Sequence, residues 1–241
     1  MTLLADMSWV EVREYLAHDN RVILPLGATE EHGPHLGLGT DFIEAEAIAQ
    51  GVGQATGVAV APTLNYGMSH TLLYFPGTLS LRPTTLIAVL EDLFRSLYRH
   101  GFRRVLVVNG HGGNAAALSS AIHQVAIDLL EMRFKNFEWW TDQESYRVVI
   151  ETMGEQVGSH ASPGETAFML AVRPSAVKLN RLPGRDAPVK SSREVATLNT
   201  FAEKYPDGIM GLDPRKATAH AGEALLKKSI EICARELVNW S

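Results

Sequence analysis

Arg104-Val105-Leu106-Val107-Val108-Asn109, running directly into Gly110-His111-Gly112-Gly113-Asn114, reads as a buried strand that opens into a glycine-rich turn. An unbroken apolar run rich in valine suits a strand covered on both faces, as in a parallel sheet. An alanine-rich helical pattern follows, from near Asn114 to about residue 130. The same strand–loop–helix order stands earlier in the chain. Residues 21–26 form a strand, 27–41 a polar loop, and 42–56 a helix stopped by Gly57. A short strand over 58–62 leads through a long loop, 63–81, to a helix that Pro83 starts as a favoured first residue and that runs to 101. A further strand is expected over 134–140, a helix from Ser162 to 170, a polar surface excursion over 177–206, and a last helix over 218–240. Ser8 with Glu11 forms a capping box for a first helix over 8–18. Strands alternating with helices at this spacing predict right-handed βαβ units, an α/β fold and a mainly parallel sheet. No repeat or composition break divides the chain, so residues 1–241 are expected to form one domain.

The loop over residues 27–41, Gly-Ala-Thr-Glu-Glu-His-Gly-Pro-His-Leu-Gly-Leu-Gly-Thr-Asp, holds two glutamates, two histidines, an aspartate and four glycines. Such a density of carboxylate and imidazole suits a divalent cation such as zinc, manganese or iron. Glu30 and His32 are two apart and leave an extended backbone on the same face. The glycines let the loop fold back until Asp41 joins them. The plain alternative is a polar surface loop in which Asp41 N-caps the next helix. Because ligands of open parallel sheets bind beyond the carboxyl ends of the strands, this loop and the 109–114 turn should meet, with His111 as a further ligand. A third cluster, Ser159-His160-Ala161-Ser162-Pro163-Gly164-Glu165, again sets a histidine and a glutamate beside a helix start.

Competing chemistries are weaker. Glycines at 110, 112 and 113 do not match a dinucleotide or P-loop spacing, which leaves a non-catalytic nucleotide-binding module as the second class. No Gly-x-Ser-x-Gly elbow is present, and Cys233 lies in a helical pattern as a buried apolar residue. A metal-activated water is the favoured nucleophile. With 22 basic and 27 acidic residues the net charge is −5, which gives no reason to expect nucleic acid or an anionic membrane. Apolar runs fall short of the ~18 residues a spanning helix needs. A lone cysteine and no apparent secretory signal point to the cytoplasm.

Together the three clusters resemble the creatininase (creatinine amidohydrolase) family. Its Gly-x-x-Glu-x-His-Gly-Pro-His-Leu-x-x-x-x-Asp loop matches residues 27–41, its Asn-Gly-His-Gly-Gly-Asn loop matches 109–114, and its His-Ala-x-x-x-Glu-Thr segment matches 160–166. The resemblance implies a three-layer αβα fold and two divalent metal ions, zinc first, with manganese or iron as options. It implies hydrolysis of the C–N bond of a small amide by a metal-held hydroxide. Glu30 and His111 would bind one ion, His32 the other, and Asp41 would bridge them; His160 would hand a proton to the leaving nitrogen. A homo-oligomer, a hexamer in the family, is also implied. Two departures matter. Creatininase carries a metal-binding glutamate where this chain has Gly113, and a glutamate before the catalytic histidine where this chain has Ser159. Glu165 is therefore the candidate that completes the second metal site. The Gly-Gly form looks more like a formamide deformylase or a peptidase of a modified peptide than creatininase itself. His35, Asn114 and Trp140 are the expected substrate contacts, with Trp139 and Trp140 as an aromatic wall or as core.

Overall fold

The computed structural model describes residues 2–154, 160–184 and 197–240. Four strands, β1 (Arg21–Leu26), β2 (Ala59–Val60), β3 (Arg104–Asn109) and β4 (Arg133–Phe137), pair in the order β2–β1–β3–β4, every pair parallel. Helices α1 (Trp9–Leu16), α2 (Thr40–Thr56), α3 (Pro83–His100), α4 (Ala115–Ala126), α5 (Gln143–Met153), α6 (Pro163–Val172), α7 (Leu198–Lys204) and α8 (Ala219–Val238) surround them.

Both faces of the sheet are covered, and the period-2 alternation of side chains divides the core in two. Val22, Leu24, Leu26, Val105 and Val107 meet Leu86, Leu90 and Phe94 of α3 and Leu118, Ala121 and Val125 of α4. Ile23, Leu106 and Val108 meet Ile48 and Val52 of α2, Phe168 of α6, and Leu225 and Ile232 of α8. This is the expected three-layer αβα sandwich. Truncating one of its fully buried anchors, such as Leu90 or Phe94, to alanine should cost roughly 2–5 kcal/mol.

Local signals hold where they are strongest. Ser8 and Glu11 form the capping box of α1, Gly57 ends α2 at φ 76°, and Pro83 opens α3. Asp41 is not the cap of α2: Gly39 takes that place, and Asp41 lies inside the first turn, free for other work. The strand expected over 134–140 stops at Phe137, because the amides of Thr141 and Asp142 both turn back to the Glu138 carbonyl, at 3.0 and 3.2 Å. The helix expected to about residue 130 ends at Ala126, beyond which Ile127 and Leu130 find no core and stand exposed. The polar excursion over 177–206 contains α7; its Arg185, Lys190 and Arg193 lie outside the described residues, as does Ser159. Helix α5, capped by Asp142, is an element that the sequence reading does not contain. No helix among the described residues is long and apolar enough to cross a membrane.

The chain runs from β1 outward to β2, then returns past β1 to β3, so strand order reverses between β1 and β3. That is where a ligand crevice is expected in an open sheet. Leu26 and Asn109, the last residues of β1 and β3, are register partners.

Candidate metal centre and active site

The two motif loops leave the sheet side by side and are tied there. The Gly110 amide donates to the Leu26 carbonyl at 2.8 Å, and the Glu30 amide to the Leu38 carbonyl at 2.9 Å, folding the first loop back on itself. Asp41, carried by the first turn of α2, then lies between two imidazoles. His32 Nε2 is 2.9 Å from Asp41 Oδ1, and His111 Nδ1 is 3.2 Å from Asp41 Oδ2. Glu165 Oε1 approaches His32 Nε2 at 3.7 Å, and Glu30 Oε2 lies 3.3 Å from His111 Nε2. All of these side chains except Glu165 are at least nine-tenths buried.

The hydrogen bonds of the imidazoles decide what this cluster suits. His32 turns Nδ1 to the Glu30 carbonyl at 3.3 Å, and His111 turns Nε2 to the Met68 carbonyl at 3.0 Å. A carbonyl accepts only, so each of these nitrogens is the N–H, and in the neutral ring the other nitrogen carries a lone pair. Both lone pairs then face the same carboxylate. Acceptors aimed at acceptors in a buried site call for a cation between them. Glu30 Oε2, His32 Nε2 and Asp41 Oδ2 are buried and accept no hydrogen bond among the described residues. The ligand atoms fall into two close groups that share the aspartate, Glu30–Asp41–His111 and His32–Asp41–Glu165, and a third, Glu30–His32–His160, overlaps them. The donor set thus fits divalent cations, with backbone carbonyls orienting the histidines from behind.

In the metal-free chain protons take the part of the cations. Burial alone would raise Asp41, but His32 and His111 on its two sides hold it well below the usual carboxylate range. Burial would lower both imidazoles; Asp41 and Glu165 hold His32 well above its ordinary value, and Glu30 and Asp41 hold His111 up at about 9. Burial pushes Glu30 up, with Asp41 adding to the rise. Metal would therefore displace protons on binding.

Comparison with known proteins agrees with this geometry. The family profile described as creatinine amidohydrolase matches residues 5–237. The chain belongs to the creatininase family. Members of this family are amidohydrolases that act on C–N bonds. A mycofactocin precursor peptide peptidase of Mycolicibacterium smegmatis is 32% identical over 226 residues, covering 91% of this chain and 85% of the relative. A creatinine amidohydrolase of Pseudomonas putida is 30% identical over 251 residues, covering 98% and 94%. Among solved structures, a manganese creatininase aligns with a TM-score of 0.88 at 26% identity, over 98% of this chain and 97% of that one. A zinc–zinc creatininase variant aligns with a TM-score of 0.87 at 26% identity, over 98% and 96%.

At Gly113 the surroundings exclude a side chain. A Cβ there would run into His111 Nε2 and the Met68 carbonyl, so no side chain from this position can reach the centre without a shift of the Met68 backbone. Glu165 reaches the centre. Its Oε2 accepts from the Ser162 amide at 2.7 Å as the capping box of α6, which leaves Oε1 to face His32.

His160 stacks over His32 with ring centroids 4.4 Å apart, and its Nδ1 lies 3.5 Å from Glu30 Oε1. Burial and His32 would lower its pKa, yet Glu31 and Glu30 hold it above the ordinary value. Its backbone is pinned by a two-way bridge to Met210, and the next residue, Ala161, takes a left-handed φ of 51° while fully buried. A non-glycine residue in that region costs on the order of 1 kcal/mol and persists only where its surroundings impose it.

Two expected substrate contacts, His35 and Asn114, lie away from the cavity lining. His35 is fully buried and turns Nε2 to the Thr166 hydroxyl at 2.9 Å, joining the first loop to α6. Asn114 is also fully buried: it donates to the Gly27 carbonyl at 3.0 Å and accepts from the Met68 amide at 3.0 Å, stapling three loops together. Neither lines the cavity: His35 turns to α6, and Asn114 to the backbone of Gly27 and Met68. Trp140 does line it. The cavity, about 520 Å³, is lined on its polar side by Glu30, Asp41, His111, His160 and Glu165, with Met68, Leu72, Trp140, Tyr146, Phe201 and Met210 among its walls. Trp139 serves both roles: it borders the cavity, packs on Phe168, and donates Nε1–H to Glu44 at 2.9 Å. Glu44, one turn beyond Asp41, and Glu31, in the unassigned position of the first motif, are buried carboxyls that motif reading passes over. Burial, with the Glu165 and Asp41 carboxylates beside it, pushes the Glu44 pKa well up. Its spacing of three from Asp41 on one helix was the available signal.

Proposed function

We propose that this chain is a metal-dependent amidohydrolase holding two divalent ions, zinc or manganese before iron, and cleaving the C–N bond of a small neutral amide. The observation that carries the proposal is Asp41, flanked by His32 Nε2 at 2.9 Å and His111 Nδ1 at 3.2 Å, each imidazole tied by its other nitrogen to a backbone carbonyl. Glu30, Asp41 and His111 would hold one ion, and His32, Asp41 and Glu165 the other. Bound cations at such a centre lower the pKa of water and polarise a carbonyl. The remaining work falls to this chain's own groups. His160, beside Glu30 on the polar side of the cavity, carries a proton to the leaving nitrogen. Trp140, Tyr146 and Phe201 cover the apolar part of the substrate and displace water from it.

The 520 Å³ cavity lies in the range of roughly 300–1,000 Å³ that suits ligands far larger than creatinine. That observation favours, within the same chemistry, an amide bearing an apolar or aromatic body, such as a modified peptide, over creatinine or a small formamide. The expected assembly is a homo-oligomer, a hexamer by family resemblance, and the expected compartment the cytoplasm.

The test is elemental analysis of purified protein together with an amide screen: creatinine, lactams, hydantoins, formamides and short peptides with aromatic C-termini. Two ions per chain and metal-dependent amide hydrolysis are expected, with His32→Ala folded but depleted of metal and inactive. A protein that takes up no metal, or a fully active His32→Ala variant, overturns the reading.

A further inference from the structure

We propose that Glu31 is a positioning residue that sets the tautomer and orientation of His160, so that Nδ1 is the nitrogen presented to the reacting centre. The inference rests on the reading above that His160 handles the proton. Glu31 stands between Glu30 and His32 in sequence but belongs to none of the groups of candidate metal ligands. It is buried all the same, and both of its oxygens are engaged. Oε2 accepts the Gly33 amide at 2.7 Å, and Oε1 lies 3.2 Å from His160 Nε2. Its own amide donates to the Thr78 hydroxyl at 3.0 Å, which fixes the backbone behind the carboxylate. On the far side Gly208, at φ 73°, leaves no room for a side chain, because the space a Cβ would fill is taken by the Glu31 carboxylate. An isolated antiparallel bridge ties His160 to Met210, two residues beyond Gly208.

A backbone N–H can only donate, so Oε2 is committed to Gly33. A carboxylate oxygen can only accept, so His160 Nε2 must carry the hydrogen, and Nδ1 is left with the lone pair on the side of Glu30 and the cavity. The imidazole can then take a proton at Nδ1 and release it there without turning, with Glu31 stabilising the charge it briefly carries. This is the arrangement by which a buried carboxylate orients a working histidine elsewhere.

Glu31→Gln tests the pairing with little change of shape. Its single carbonyl oxygen must serve the Gly33 amide, so its NH2 donates to His160 Nε2 and forces the hydrogen onto Nδ1. The ring nitrogens of His160 are read by long-range ¹H–¹⁵N correlation, in the zinc-loaded protein and in the metal-free protein at a pH where the imidazole is neutral. Steady-state kinetics on any amide found in the screen provide the second readout. Wild type should show the Nε2–H form and Glu31→Gln the Nδ1–H form, with metal content unchanged. kcat should fall about 10²-fold or more, while KM moves less than about threefold. An Nδ1–H tautomer in the wild type overturns the proposal, as does a Glu31→Gln protein with the wild-type tautomer and kcat within about threefold. The tautomer readout needs no substrate, so it decides the pairing even if the amidohydrolase reading fails.

Discussion

Glu165 serves two structures at once, and that allows its roles to be separated. Oε2 caps α6 at the Ser162 amide, 2.7 Å away, while Oε1 faces His32 Nε2 at 3.7 Å. In Glu165→Gln the amide oxygen can keep the cap, which leaves an NH2 group turned to the centre. That group cannot ligate a cation. Loss of an outer-shell partner of a metal site costs 10–100-fold in affinity, so removing a ligand should cost at least about 100-fold, or roughly 2.7 kcal/mol. In a chain of this size each kcal/mol moves the thermal midpoint by about 2–4 °C. The metal-loaded variant should therefore melt about 5–11 °C below loaded wild type, while the metal-free forms differ by only a few degrees. Elemental analysis after dialysis should count one ion per chain instead of two. Asp41→Asn is the contrasting case: because its two oxygens face His32 and His111 at 2.9 and 3.2 Å, it should lose both ions. If Glu165→Gln keeps two ions at wild-type affinity, Glu165 is not a ligand.

Three further outcomes follow from the same geometry. In the metal-free protein His111 is held up at about 9 against an ordinary 6.5, so its stabilisation is complete below about pH 6.5 and lost as pH rises through 9, roughly 3 kcal/mol in all. Asp41, held low, adds stability that disappears as pH falls below its ordinary range near 4; urea melts of chelator-treated protein at pH 6 and pH 9 should differ accordingly, and a flat or rising profile refutes this. Burial pushes the Glu44 pKa up, which favours its uncharged form, and Glu44→Gln keeps an oxygen to accept from Trp139; denaturant midpoints should therefore shift by no more than about 1 kcal/mol with metal content intact, and a loss above about 3 kcal/mol would refute an uncharged Glu44. Trp140→Ala, which removes a wall of the cavity but no ligand, should raise KM about tenfold or more with metal content unchanged, and an unaltered KM would remove Trp140 from the substrate contacts.

The sequence by itself determined most of the elements, α5 and α7 apart, and named the candidate donor set. Local rules suffice for a valine-rich strand such as Arg104–Asn109, a capping box such as Ser8–Glu11 or Ser162–Glu165, and a proline or glycine at a helix end. Spacing placed Glu30 and His32 on one face and brought Asp41 back to them, and a missing carboxylate at Gly113 pointed to Glu165. The tertiary structure alone decided which polar residues of these loops face the cavity. His35 and Asn114 stand in the same motifs and look like site residues, yet packing against α6 and the 64–68 segment turns them inward. Glu31 looks like a spacer, yet the 205–210 segment, about 180 positions further along, gives it His160 as a partner and Gly208 as a wall. A loop without a repeating backbone geometry sets the direction of each side chain only through contacts with distant segments. The pairing of Leu26 with Asn109 at the ends of two neighbouring strands brings the first two motif loops together, and the contacts of Thr166, His160 and Gly208 with the first loop add the later segments.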